Sequence, residues 1–149
     1  MAHTYTVLLY HIVFSTKHRQ PLIDAETQKL LYPYMAGIIA NHGGKAMIIN
    51  GTADHVHILC RLKSKPDVAD VVQAIKGSSS KHYHDQTGRM EFAWQEGYGA
   101  FTVSYSQQDR VYRYIQNQAE HHRKRSFAEE YEGLLIKHGV KYDSRFFLD

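Results

Sequence analysis

Along residues 4–105 the apolar pattern changes period in a set order, and that order admits few folds. Residues 4–15 are rich in β-branched and aromatic types with apolar side chains on both parities, which predicts a strand covered on both faces. From Asp24, the residues Leu30, Leu31, Tyr34, Met35, Ile38 and Ile39 recur at helical spacing, with Asp24 as N-cap and Gly43-Gly44 as stop. Residues 45–50 and 55–62 are strand candidates joined by the turn-like Asn50-Gly51-Thr52-Ala53-Asp54, hence a hairpin. A second helix is expected over 67–84, with Val68, Val71, Val72 and Ile75 buried and its second half weakened by Gly77 and Ser78 to Ser80. Gly97-Tyr98-Gly99 then leads into a short strand over 100–105. Strand, helix, hairpin, helix, strand is the split βαβ plan: an α+β, ferredoxin-like or RRM-like antiparallel sheet with helices on one face. The other face is left free to carry a site. Beyond it, a third helix is expected over 107–122 and a last one over 126–138, where Ser126 and Glu129 fit a capping box.

With 149 residues the chain suits one compact domain, 1–149, and its 43% hydrophobic content excludes a disordered chain. Cys60 is the lone cysteine, so no internal disulfide can form. No apolar run approaches the roughly 20 residues of a membrane helix, and the start lacks the plan of a signal peptide. A cytoplasmic protein without membrane contact is expected. The net charge of +3, with 11 histidines that gain charge near phosphate, permits a polyanionic partner.

Chemistry concentrates in Asp54-His55-Val56-His57. On a strand, His55 and His57 share one face and Val56 and Ile58 the other, so two imidazoles line up as half of a metal site. A plain strand with two half-exposed histidines has the same pattern, and Asp54 is equally a turn residue or an orienter of an imidazole. The third helix supplies Tyr114-Ile115-Gln116-Asn117-Gln118, in which Tyr114 and Gln118 lie one turn apart on one face. His121, three residues on, lies near that face and is a chemically better ligand than an amide. Neutral ligands leave a divalent ion its full charge and open positions, at which a phosphate oxygen is polarised while a tyrosine oxygen attacks phosphorus in line.

His55-Val56-His57 followed by Tyr114-Ile115-Gln116-Asn117-Gln118 resembles the single-tyrosine HUH transposases of small insertion sequences that move as single-stranded DNA. Tyr10-His11-Ile12-Val13-Phe14-Ser15-Thr16-Lys17 and Trp94-Gln95-Glu96-Gly97-Tyr98-Gly99-Ala100-Phe101 resemble the same family, so the likeness spans nearly the whole chain. The resemblance implies a homodimer that holds Mg²⁺ or Mn²⁺ with His55, His57 and Gln118. It further implies that Tyr114 cleaves single-stranded DNA beside a hairpin and keeps the strand as a 5′-phosphotyrosine, with the tyrosine helix serving its own or the partner subunit's site. Lys17, Arg19, Lys76, Lys81 and Arg123 are the candidate phosphate contacts, and Trp94, Tyr98 and Phe101 the candidates for stacking on unpaired bases. The alternatives are a domesticated, non-catalytic single-stranded nucleic-acid binder on the same fold, and a metallohydrolase in which water replaces Tyr114.

Overall fold

The computed structural model describes residues 2–149. Four antiparallel strands, β1 (Leu8–Ser15), β2 (Lys45–Thr52), β3 (His55–Leu62) and β4 (Gly99–Val103), form one sheet in the order β2-β3-β1-β4. The long helices α1 (Ala25–Asn41) and α2 (Val68–Thr87) make the crossovers that this order requires. Asp24 caps α1 by accepting from the Thr27 N–H at 2.8 Å, and Gly43 follows its end at φ 82°. Helix α2 runs unbroken through Gly77 and the serines, because Ser79 turns inward and accepts a hydrogen bond from Trp94 Nε1 at 3.0 Å.

Alternation sorts the sheet's two faces. Ile12 and Phe14 of β1 and Val56, Ile58 and Cys60 of β3 pack under α1 and α2 with Leu31, Met35, Ile39, Val71 and Ile75, forming the main core. Val13 and Phe101 point the other way, as do His11, His55 and His57. That face is not bare: α5 (Phe127–Lys137) lays Phe127, Tyr131 and Leu135 against Val13 and Phe101. The apolar residues on both parities of β1 are thus covered on both sides, and the roof comes from beyond the split βαβ unit. Ser126 caps α5 with the expected capping box.

Gly99 permits this close docking. A Cβ there would lie 2.8 Å from Tyr131 Cε1 and 3.1 Å from Val13 Cγ1, neither of which is the loose end of a flexible chain. Gly99→Ala should therefore cost about 1–3 kcal/mol through overpacking. The check is the thermal midpoint together with amide exchange in α5, and unchanged protection of α5 would show that the contact yields freely.

The third helix differs from the expected continuous one. It divides into α3 (Gln108–Gln116) and α4 (Gln118–His121) at Asn117, whose φ and ψ are −97° and 23°. Asn50, opposite His57 in the hairpin, donates from Nδ2 to the carbonyls of Ile115 (3.0 Å) and Gln116 (3.2 Å), satisfying the orphaned end of α3. The break turns the chain so that Gln118 is buried rather than merely following Tyr114 along a surface. Ala119, one helical turn after the buried Ile115, is exposed for the same reason.

Candidate active site

His55 and His57 are fully buried between the sheet and the segment 114–130, and Gln118 is equally buried. The centre of the cluster is a residue that the motifs did not reveal, Glu130 of α5, 2% exposed. Its Oε1 accepts from His57 Nε2 at 2.8 Å and from His122 Nε2 at 2.9 Å, while its Oε2 accepts from Gln118 Nε2 at 2.9 Å and from the Tyr114 hydroxyl. Burial opposes ionisation of this carboxyl, but the hydrogen bonds from His122, His57 and Tyr114 outweigh it and hold the group well below the usual carboxylate range. Burial, and then the Glu130 charge, push the Tyr114 phenol up, so in this arrangement it stays a protonated donor.

The imidazoles are braced from behind. Asp54 Oδ1 accepts from His55 Nδ1 at 2.7 Å, so Asp54 is both turn residue and orienter. His11 Nε2 lies 2.7 Å from His57 Nδ1. Burial, reinforced by His57, lowers the His11 pKa to about 3, which leaves a neutral ring able to donate to that nitrogen. His121, the other ligand candidate, stacks on the Tyr114 ring at 4.7 Å between centroids, whereas its neighbour His122 joins the cluster.

The donors and acceptors of this cluster suit a cation. His55 Nδ1 pairs with Asp54 Oδ1 and its Nε2 faces Gln118 Oε1 at 2.9 Å, so a ring carrying its proton on Nδ1 alone would set a lone pair against the amide oxygen. Flipping the amide gives no relief, because Gln118 Nε2 is needed by Glu130. Either a proton on His55 Nε2 or a metal cation satisfies that pair. The ligand atoms of His55, His57, His122 and Glu130 lie within 4.8 Å of one another, and with the Gln118 amide oxygen they make a mixed nitrogen and oxygen set fit for a divalent metal.

The five basic residues proposed to grip DNA are mostly committed elsewhere. Lys76 Nζ donates to the Glu96 and Gly97 carbonyls, both at 2.8 Å, and Arg19 donates to the Leu148 carbonyl at 2.9 Å. Lys81 pairs with Asp85 at 2.9 Å and Arg123 with Glu120 at 3.1 Å, both exposed, while Lys17 lies on an exposed 3₁₀ turn. Trp94 and Phe101 are core residues, and only Tyr98 of the three stacking candidates reaches the surface.

The ferredoxin-like sheet thus presents two imidazoles from a central strand to a helix-borne tyrosine and an amide. The family model described as "Transposase IS200 like" matches residues 4–118, and the chain belongs to that family. It is 25% identical over 117 residues to the ISDra2 transposase TnpA of Deinococcus radiodurans, covering 74% of this chain and 84% of that protein. It is 27% identical over 126 residues to the transposase of insertion sequence IS200 of Salmonella typhimurium, covering 80% and 82%. Among solved structures, a transposase from Deinococcus radiodurans matches with a TM-score of 0.64 at 24% identity, over 79% of this chain and 96% of that one. A REP-associated tyrosine transposase bound to a REP hairpin matches with a TM-score of 0.61 at 14% identity, over 82% and 73%. These two likenesses show the fold. Family membership implies cleavage and rejoining of DNA. His122 and Glu130 lie beyond residue 118, where the family match ends.

Proposed function

We propose that this transposase, working as a single domain over 1–149, cleaves and rejoins single-stranded DNA next to hairpins through Tyr114, with Mg²⁺ or Mn²⁺ held by His55, His57 and Gln118. The observation that carries the reading is the meeting of the Tyr114 hydroxyl with the same carboxylate that contacts His57, His122 and Gln118. Glu130 and His122 extend the donor set. A divalent ion there supplies positive charge that favours the phenolate and polarises a phosphate oxygen.

The chain's own groups do the rest. Glu130 aims the Tyr114 oxygen at the centre of the cluster, and Asp54 and His11 fix the orientation of the two strand imidazoles. Attack by Tyr114 forms the bond from its oxygen to phosphorus and breaks the bond from phosphorus to the 3′ oxygen, which leaves as a hydroxyl; the DNA 5′ end stays on the protein as a phosphotyrosine. The reverse attack by a 3′ hydroxyl restores the phosphodiester without ATP, since the bond energy is kept. Within one chain Tyr114 contacts Glu130, and whether the tyrosine serves its own or the partner subunit's site is the choice that the resemblance leaves open. The homodimer and the cytoplasmic setting rest on the family resemblance, and no helix among the described residues is long and apolar enough to cross a membrane.

The test is a labelled oligonucleotide carrying a hairpin, incubated with protein and Mn²⁺ and resolved on a denaturing gel. A covalent protein–DNA band is expected, lost with chelator and in His57→Ala. A band that persists in His57→Ala with chelator present would contradict the metal-dependent reading, and cleavage without any protein-bound strand would favour the metallohydrolase.

A further inference from the structure

Between α3, β4 and α5 a cleft of about 610 Å³ runs down to the Tyr114 ring and His11. We infer that it seats the unpaired nucleotide adjoining the phosphate that Tyr114 attacks, with Arg110 and Lys137 against the backbone and the His138 face against the base. The inference rests on the function proposed above and assigns the substrate contact that the five basic candidates left open.

Three features support it. The cleft has the volume of a small-ligand site, roughly 300–1,000 Å³. Its lining holds no acidic side chain, and its two cations, Arg110 on α3 and Lys137 on α5, are both exposed and have no salt-bridge partner among the described residues. Unpaired cations on both walls of a cleft that ends at a tyrosine match a phosphodiester strand better than any neutral ligand. Finally, His138 is exposed and stacks on the buried Phe101 at 4.2 Å between centroids, a flat surface backed by the core on which a base can lie. The cleft's polar rim of Thr102, Ser104 and Gln107 offers hydrogen bonds to sugar and base edges. The α5 wall, with Lys137 and His138, lies beyond residue 118, where the family match ends.

The experiment measures anisotropy of a short fluorescent oligodeoxynucleotide without a hairpin, across a salt series, for wild type, Arg110→Glu, Lys137→Glu and Lys29→Glu, the last a control beneath the opposite face on α1. Each cleft variant should bind about tenfold more weakly and lower the slope of log K against log salt by about 0.7, the value for one lost phosphate contact on a single strand, while the control matches wild type. A photoreactive thymine placed beside the scissile phosphate should crosslink to peptides carrying residues 101–110 or 134–138. Cleft variants that bind like wild type with an unchanged slope, or crosslinks confined to other peptides, overturn the assignment while the covalent adduct assay still stands. Failure of the wild type both to bind this DNA and to form an adduct would instead sink the proposed function itself.

Discussion

Tyr114→Phe is expected to abolish the covalent protein–DNA product, lowering its rate of formation by on the order of 10⁴-fold or more, because the substitution removes the attacking atom itself. Little else should change. The Tyr114 ring is only partly buried, and Glu130 keeps its bonds to His57, His122 and Gln118, so the loss of one hydrogen bond should cost about 1 kcal/mol. Binding of single-stranded DNA should match wild type. The measurement is single-turnover adduct formation alongside a thermal melt, with the adducted peptide sequenced in the wild type. An adduct of undiminished amount in Tyr114→Phe, or one mapped to Tyr105 or Tyr112, would move the nucleophile elsewhere.

Glu130→Ala should produce the largest loss of stability of any single substitution in the site. It leaves the donors of His57, His122, Gln118 and Tyr114 without their shared acceptor, with His57 and Gln118 fully buried. Breaking a buried charged network by removing one partner costs about 3–5 kcal/mol, which for a chain of this size lowers the thermal midpoint by about 10 °C. Glu130→Gln, which keeps an acceptor oxygen and the shape but not the charge, should lose less. The two variants also separate packing from cation binding: Mn²⁺ should raise the wild-type midpoint, and both variants should lose most of that rise. A Glu130→Ala protein as stable as wild type, with the same response to Mn²⁺, would show the carboxylate to be incidental.

The two histidines and the tyrosine were readable because each depends on local spacing. Alternation on a strand places His55 and His57 together whatever surrounds them, and helical spacing sets Tyr114 and Gln118 about one turn apart, although the break at Asn117 fixes where the amide ends. Glu130 had only a faint signal. It sits on the inward stripe of α5 with Phe127, Tyr131 and Leu135, and an acid on an apolar stripe is a buried acid that needs partners. Its neighbour Glu129 serves the capping box at the surface, whereas the partners of Glu130 come from segments that no local pattern links to it. The basic residues are hard to rank for a related reason: a lysine or arginine looks equally available in any sequence, and whether a carbonyl or carboxylate pairs with it depends on chain segments far away, as with Arg19 and Leu148.

Taken alone, the order of residues determined the sheet, the crossover helices, the caps of α1 and α5 and the pair of imidazoles on the central strand. All of these follow from periodicity and hydrogen bonds within a few positions. Only the tertiary structure decided that α5 would roof the second face, that Asn50 would hold the break at Asn117, and that Glu130 and His122 would meet His57 and Gln118. Those contacts join segments far apart in the chain, and they are set by which apolar surfaces fit together, down to the missing Cβ of Gly99 that lets Tyr131 approach Val13.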